Sequence, residues 1–250
     1  MPLPLASVAS DRRGLAPTLL TILLIAGASA AFVRAQTLKL EPSPLERPRI
    51  ERVFSPVCGC AGKATATLSF TVRQPLRVDA QMIADGDRPV RSLVAGARWP
   101  QGRRTLQWDG RDDAGRLVAD GPYRLRVRLL DRNREIVVPT TVAVDTAPPR
   151  ARLLSVRPRT LPRPRSDGPS ARSIEIRYRA SEAGRPALLV DGRTATRRDR
   201  RPRGRSVIVW GGRARGRTVR PGTHRIAVQI RDRAGNLGPP TQGIGVRVRR

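Results

Sequence analysis

The chain contains few residues of several types, and each shortage argues against a class of function. Only Lys39 and Lys63 of its 49 basic residues are lysine, and 20 residues are acidic, so arginine carries nearly all of the net charge of +29. Aromatic residues make up 3% of the 250 residues, too few to interleave stacking platforms with the arginines as single-strand nucleic-acid binders do. The charge favours acidic partners such as phosphate-bearing polymers or anionic lipid. We therefore expect an envelope protein or an acidic wall polymer as partner, and no nucleic acid.

Residues suited to catalysis or metal binding are equally scarce. The chain has a single histidine, His224, and a single pair of cysteines, Cys58 and Cys60. A zinc site would need two further ligands, and the sequence has no G-x-S-x-G, H-E-x-x-H or P-loop motif. His224 opens a strand pattern, which favours a packed structural role. We predict that the protein is not an enzyme and has no catalytic, cofactor-binding or metal-binding residues.

The cysteines flank Gly59 just before the first long strand pattern. Thiols outside the cytoplasm tend to oxidise, and Gly59 permits the bend that a disulfide across one residue requires. A disulfide within the chain, an intermolecular bridge and two buried thiols are all compatible with this spacing. The pattern favours the first and leaves the redox state open.

One hydrophobic run stands apart from the rest. Residues 14–33 carry no charge and follow Arg12 and Arg13. Twenty residues can span a hydrocarbon core of about 30 Å, and the positive-inside rule would keep the short N-terminal side cytoplasmic. This predicts a cytoplasmic tail over residues 1–13 and an uncleaved transmembrane helix over 14–33, in a single-pass membrane protein whose C-terminal domains are extracytoplasmic. A cleaved signal peptide is the alternative, because residues 28–30 (ASA) fit a small-residue cleavage site.

The hydrophobic period changes to two further along the chain. Prolines 42, 44 and 48 predict an extended stalk over residues 34–57. In residues 123–129, apolar side chains alternate with three arginines, and residues 65–72 and 76–83 show the same alternation. This is the pattern of half-buried strands, with the arginines on the solvent face. Strands at spacings near ten residues predict an all-β sandwich.

The second half of the chain repeats the first. Trp108-Asp-Gly-Arg is matched by Trp210-Gly-Gly-Arg, and Tyr123 by His224, at an offset of about one hundred residues, the size of an immunoglobulin-like domain. The sequence therefore predicts two tandem immunoglobulin-like sandwiches, over 58–145 and 151–250, with the proline-containing linker 146–150 between them. Residues 157–170 and the arginine-rich 197–205 read as long, mobile loops.

The stretch WDGRDDAG, residues 108–115, suggests a calcium loop, a pair of catalytic carboxylates or a turn. Catalysis would need an acid of raised pKa, whereas the neighbouring arginines lower carboxylate pKa values. Calcium would need Asp109, Asp112, Asp113 and Asp120, but the spacing departs from an EF-hand and no bidentate glutamate follows. The second copy keeps the tryptophan and a glycine two residues on, and has Ala214 and Arg215 in place of Asp112 and Asp113. A turn explains what both copies retain, with glycines at positive φ and aspartates bonding nearby backbone N–H groups.

Residues 90–131 also resemble a known family. The segment VRSL, the run from Trp108 to Asp112, and Gly115, Gly121 and Tyr123 are similar to the Ig-like domain of the flagellar hook-capping (FlgD-type) family, a module also appended to secreted bacterial proteases. The resemblance covers residues 65–145 and, more weakly, 172–249, and it implies an Ig-like sandwich. Flagellar function is not carried over, because a membrane anchor is not expected in that family and its hook-assembly segment is not found.

These observations predict a non-catalytic extracytoplasmic binding or scaffolding module of a bacterial cell envelope. Two alternatives remain open. One is a secreted protein that binds cell-wall polymers through its basic surface. The other is an accessory domain pair for a separate envelope enzyme.

Overall fold

The computed structural model describes residues 20–29, 32, 43–161 and 173–249. The chain divides into a unit over residues 1–44 and a compact unit over residues 45–250. The described strands of the second unit are β1 (Leu45–Ile50), β2 (Val53–Phe54), β3 (Ala66–Val72), β4 (Leu76–Ile83), β5 (Pro89–Trp99), β6 (Gly102–Trp108), β7 (Gly121–Leu129), β8 (Arg134–Val137), β9 (Val142–Val144), β10 (Ala151–Arg157), β11 (Thr160–Leu161), β12 (Ile174–Ala180), β13 (Arg185–Val190), β14 (Arg193–Arg197), β15 (Gly204–Trp210), β16 (Arg213–Ala214), β17 (Arg217–Thr218), β18 (Gly222–Arg231) and β19 (Ile244–Val248). Short 3-10 turns lie at Asp85–Asp87 and Leu130–Arg132.

The N-terminal unit corrects the membrane prediction. Residues 20–29 and residue 32 are helical. Among the residues that the structure describes, no helix is both long and apolar enough to cross a membrane. The prediction of a single-pass transmembrane anchor over 14–33, and of a membrane localisation, is therefore wrong. The predicted tail 1–13 and residues 14–19, 30, 31 and 33 lie outside the described residues.

The two halves of the compact unit have the same strand order. In the first, the sheet β1-β3-β6 faces the sheet β2-β9-β7-β4-β5, with β8 paired to β7. In the second, β10-β12-β15 faces β11-β19-β18-β13-β14. The short ribbon β16-β17 corresponds to the bridge between Arg111 and Leu117 in the first half, and among the described strands only β8 has no counterpart in the other half. The prediction of an all-β chain with β-sandwiches and an internal repeat is confirmed.

Each sandwich has a core of its own. In the first, buried side chains from β3, β4 and β7, such as Leu68, Met82 and Leu125, form one cluster. In the second, Ile176, Leu188 and other side chains of β12, β13, β15 and β18 form another. The alternation read from the sequence places these side chains between the sheets.

The predicted stalk is partly wrong. Residues Leu45–Ile50 pair with β3, and Val53–Phe54 pair in parallel with β9, so the sandwich begins well before residue 58. Pro48 is tolerated because β1 is an edge strand whose register shifts between Glu46 and Arg49, and edge strands and bulges accommodate a residue without an N–H. Residues 34–42 of the predicted stalk lie outside the described residues.

The predicted loops also differ from expectation. Arg197 ends β14 and residues 204–205 begin β15. Between them, the backbone of Arg201 exchanges two hydrogen bonds with Gly184, so the arginine-rich segment is held against the sandwich. In the other segment, Thr160–Leu161 pair with β19, whereas residues 162–170 lie outside the described part.

One of the three alternating arginines is not on a solvated face. Arg126 is 9% exposed, because β8 pairs with this part of β7. Its guanidinium donates to the carbonyl of Asp87 at 2.7 Å and lies 3.2 Å from a carboxylate oxygen of Glu135. The charge is buried with partners on two sides, which offsets much of the cost of removing it from water.

Candidate functional site

The WDGRDDAG segment forms a hydrogen-bonded turn. Asp109 accepts the N–H of Arg111, and Asp112 accepts the N–H groups of Ala114 and Arg116. The backbone N–H bonds lower the pKa of Asp112, chiefly the bond from Arg116. Each carboxylate caps its own stretch of backbone, as the turn interpretation predicts.

The third acid of the turn has a contact that the sequence does not reveal. Asp113 accepts the N–H of Ser92 on β5 at 2.9 Å, and the Asp113 N–H donates to the carbonyl of Val90. The turn is therefore tied to the neighbouring sheet. Asp120, the remaining member of the calcium alternative, accepts from the N–H and hydroxyl of Thr146 at the linker.

The two repeated tryptophans anchor equivalent turns. Trp108 and Trp210 are 1% and 2% exposed. Each indole Nε1 donates to the backbone carbonyl three residues later, that of Arg111 at 2.9 Å and that of Arg213 at 2.8 Å. Both side chains combine large apolar burial with a satisfied polar atom, so they are core residues of the two sandwiches.

The ring of the single histidine lies between two hydrogen-bond acceptors. The Nε2 of His224 lies 2.8 Å from the carbonyl oxygen of Arg220, and its Nδ1 lies 2.7 Å from Oδ2 of Asp191. The carboxylate of Asp191 raises the pKa of His224, against a smaller opposing effect of burial. The same hydrogen bond, with one from the N–H of Arg225, lowers the pKa of Asp191. Both ring nitrogens face acceptors, so the geometry favours the doubly protonated imidazolium.

Cys58 and Cys60 form a disulfide, with their Cα atoms 5.2 Å apart. This confirms the intrachain alternative. The loop that it closes is also held by backbone hydrogen bonds, from the Cys58 N–H to Ser55 and from the Lys63 N–H to Cys60. The side chain of Lys63 bonds Glu51, which ties the loop to the start of the first sandwich.

A basic cleft lies on the second sandwich. It has a volume of about 520 Å³ and sits on the outer face of the β14-β13-β18 sheet. Ala187 forms part of its floor, between Arg197 and Gln229 in register on the neighbouring strands. Its small side chain leaves a depression between larger ones. The lining residues are Arg185, Pro186, Ala187, Thr194, Arg197, Arg198, Asp199, Gln229, Arg231 and Leu237.

The four arginines of the cleft differ in whether their guanidinium groups are hydrogen-bonded. Arg198 donates to the carbonyl of Val209, and Arg231 to the carbonyl of Gly235, both at 2.8 Å. The guanidinium groups of Arg185 and Arg197 make no hydrogen bond or ion pair with any residue that the structure describes. Two fixed and two unpaired guanidinium groups therefore line one depression.

Three carboxylates converge where the sandwiches meet. Asp145 follows β9, Glu182 follows β12 and Asp232 follows β18, and oxygen atoms of all three lie within 4.8 Å of one another. Buried Asp232 accepts the N–H groups of Gly235 and Asn236. Burial raises the pKa of both Asp145 and Glu182, and the charge of Asp232 adds to each rise. The cluster therefore disfavours simultaneous ionisation, and the expected absence of a metal site stays a prediction.

Sequence reasoning missed both the cleft and the acid cluster. The arginine-rich segment 197–205 was a signal for the cleft, but the register that places Arg197 beside Ala187 and Gln229 is not visible in the sequence. The acids come from positions 145, 182 and 232, each of which reads alone as an ordinary turn residue. Only the docking of two repeats brings them together.

Comparisons with known proteins find matches among solved structures only. No family model matches the chain, and no curated protein matches it. Similar solved structures include fibronectin(III)-like modules of Clostridium thermocellum CbhA (20% identity, 82% of this chain, 93% of that chain, TM-score 0.39). The human OSCAR ligand-binding domain is another (16% identity, 82% and 100%, TM-score 0.37). A third is domains 5-6 of the S-layer protein SbsC (12% identity, 82% and 97%, TM-score 0.25).

These neighbours are immunoglobulin- or fibronectin-III-like domains, several of them from bacterial surface proteins. Their TM-scores lie below 0.5, and no role is transferred from them to this chain. The resemblance to the hook-capping family is not confirmed, since no family model matches. The prediction of a non-catalytic protein stays a prediction.

Proposed function

We propose that the protein is a non-catalytic extracytoplasmic binding module that holds an acidic polymer in the basic cleft of its second sandwich. The observation that carries this proposal is the grouping of Arg185, Arg197, Arg198 and Arg231 around one depression that contains a single acid, Asp199. A volume of about 520 Å³ lies in the range of ligand-binding pockets.

The unpaired guanidinium groups favour a carboxylate or phosphate ligand. Guanidinium binds either group through two parallel hydrogen bonds, which adds geometry to charge. Arg185 and Arg197 are exposed and available for such bonds. Arg198 and Arg231 already donate to backbone carbonyls, so their charges are held in place and cost little further ordering on binding.

The other lining residues suit a polysaccharide. Gln229 donates its Nε2 to the carbonyl of Gly238, which orients its Oε1 as an acceptor for a hydroxyl, and Thr194 supplies a hydroxyl of its own. The lining contains no aromatic residue on which the bases of a single-stranded nucleic acid would stack. A hydroxylated chain with repeated acidic groups, such as a wall polymer, therefore fits this cleft better than a nucleic acid.

The disulfide supports an extracytoplasmic location. Cys58 and Cys60 are joined in the structure, and disulfides persist in oxidising compartments and are rare in the cytosol. This is where an acidic wall polymer would be met.

The experiment is a binding titration with two soluble polymers, a polyuronate and a poly(glycerol phosphate). The variant R185Q/R197Q is compared with R98Q/R132Q, which removes the same charge from exposed positions on the first sandwich. Hydrogen bonds to charged groups contribute about 1.5–3 kcal/mol, and about 1.4 kcal/mol is tenfold in affinity. We expect the cleft variant to lose about tenfold or more and the control to lose less than about threefold.

The salt dependence of binding distinguishes a specific site from nonspecific electrostatic attraction. Exposed charges are screened within about 8 Å at physiological ionic strength, so unspecific attraction should vanish by a few hundred millimolar salt. Saturable binding that persists there and is lost in R185Q/R197Q supports the proposal. Equal weakening by both double variants, or complete loss of binding in salt, would show that the arginines act only through net charge. The two polymers distinguish a carboxylate ligand from a phosphate ligand.

A further inference from the structure

The disulfide loop of the first sandwich packs against the turn that follows β18 in the second. Sγ of Cys60 lies 3.8 Å from the carbonyl oxygen of Gly235, 175 residues further along the chain. A disulfide sulfur carries no proton, so this is a packing contact. We call residues 58–63 the disulfide loop and residues 232–236 the closing turn.

The contact leaves no spare room. Gly235 has φ +108°, and a Cβ atom there would lie 2.5 Å from Sγ of Cys60, 3.3 Å from Sγ of Cys58 and 3.2 Å from Cβ of Lys63. Both sulfur atoms therefore face the same glycine. The closing turn fits the disulfide loop only because residue 235 has no side chain.

The closing turn also holds the linker between the sandwiches. Asp232 fixes the turn by accepting the N–H groups of Gly235 and Asn236 at 2.6 and 2.8 Å. Asn236 donates its Nδ2 to the carbonyl of Asp145 at 2.9 Å, where the linker begins. One short turn thus contacts the disulfide loop on one side and the linker on the other.

We propose that the Cys58–Cys60 disulfide is a redox-sensitive latch that fixes the orientation of the second sandwich relative to the first. In the oxidised state, the compact loop accommodates Gly235. A dithiol reductant would transfer two electrons and two protons, break the S–S bond, leave two thiols and itself become a disulfide. Non-bonded heavy atoms stay about 3.5–4.0 Å apart, so the separated sulfur atoms need space that the closing turn occupies, and the turn must shift.

A consequence for ligand binding rests on the proposed function. The carbonyl of Gly235, which faces Cys60, also accepts a hydrogen bond from Arg231 at 2.8 Å, and Arg231 lines the basic cleft. A shift of the closing turn therefore releases one of the two fixed guanidinium groups. Reduction should weaken polymer binding and also loosen the joint, by which we mean the contacts of the closing turn with the disulfide loop and the linker.

The test measures the distance between the sandwiches in the full chain. Spin labels are placed through noncanonical amino acids at Arg98 and Arg193, which are exposed on the two sandwiches, so that both cysteines remain native. Distance distributions are recorded before and after dithiothreitol, with thiol alkylation and mass measurement to show that the bond has opened. We expect the distribution to widen at least about twofold, since the packing contact at the joint is lost. C58S/C60S should show the wide distribution without reductant.

Two glycine variants provide a matched pair in the oxidised state. Gly235→Ala introduces a Cβ that meets the sulfur atoms, whereas Gly192→Ala adds one in open space at a similarly positive φ of +76°. Only the first should widen the distribution, so the latch can be tested even if C58S/C60S does not fold. Identical distributions in the oxidised, reduced and Gly235→Ala proteins would overturn the latch. A wider distribution with unchanged polymer affinity would support the latch and contradict only the link to the cleft.

Discussion

Tyr123 and His224 occupy the same corner of the two sandwiches, and each binds the backbone carbonyl four residues before it. The hydroxyl of Tyr123 donates to Ala119 at 2.8 Å, and Nε2 of His224 reaches Arg220 at the same distance. The histidine adds a second bond, to Asp191. The corner of the first sandwich is therefore held by a neutral hydroxyl, and that of the second by an imidazole that can titrate.

This difference predicts a pH dependence that belongs to the second sandwich. The pKa of His224 is raised above its ordinary value of 6.5, so the folded state holds the proton more tightly than the unfolded chain. The stabilisation is fully present below about pH 6.5 and is lost as pH rises through the folded-state pKa. Chemical denaturation between about pH 6 and 9 should show this decline. His224→Tyr should remove it, because tyrosine stays neutral throughout this range.

The control for the His224 prediction is the stability of the protein at low pH, where Asp191 titrates. The pKa of Asp191 is lowered, so its contribution is present above about pH 3.8 and is lost as pH falls through the lower folded-state value. Both H224Y and the natural chain retain a bond to Asp191 from the Arg225 N–H, so both should weaken in acid. A wild-type stability that is flat across neutral pH would contradict a raised pKa of His224 in the folded state.

The tryptophans give a prediction about stability. Trp108→Ala and Trp210→Ala should each destabilise their own sandwich by about 3–5 kcal/mol, as for other large buried aromatics. The matched control is Val209→Ala, because Val209 lies next to Trp210 on β15 and is 49% exposed, and it should cost under about 0.5 kcal/mol. Denaturant unfolding monitored for each sandwich separately measures both. Comparable losses for Val209 and Trp210 would show that the tryptophan is not a core residue.

The equivalence of these tryptophans could be predicted from the sequence, and the joint could not. Alternation and the internal repeat depend on local pattern, which the strands around Leu68 and Leu125 preserve. The edge strand β1 was hidden because Pro48 reads as a strand breaker, and only the bulge explains why it is tolerated. Arg126 reads as a solvated arginine, and only the pairing of β8 buries it. Features that depend on which distant segments meet, such as Cys60 against Gly235, have no local signature.

The WDGRDDAG turn predicts that alanine destabilises the protein more at one of its two glycines than at the other. Gly110 and Gly115 have φ of +72° and +76°, so alanine at either costs about 1–2 kcal/mol in the left-handed region. A Cβ at Gly110 would also collide with the ring of Pro56, whereas one at Gly115 meets open space. Gly110→Ala should therefore cost about 1–3 kcal/mol more than Gly115→Ala. Equal unfolding free energies for the two variants would show that β2 and Pro56 shift to accommodate the added methyl group at no cost in stability.

The acid cluster at the joint predicts that neutralising Glu182 stabilises the protein at neutral pH. Burial, then the charges of Asp232 and Asp145, raise the pKa of Glu182, so the folded state binds its proton more tightly than the unfolded chain. Stability then falls as pH rises above about 4.5, the ordinary value, until the folded-state pKa is passed. Glu182→Gln removes this contribution and keeps the shape of the side chain, so the unfolding free energy of the variant should decline less between about pH 4 and 7.

Unfolding is measured in a chelator, with Glu175→Gln as control, because Glu175 is exposed on β12 and pairs with Arg177. A variant less stable than the natural chain at neutral pH would contradict the repulsion. So would a stabilisation by added Ca²⁺ that Glu182→Gln abolishes, because a cation would then neutralise the three carboxylates.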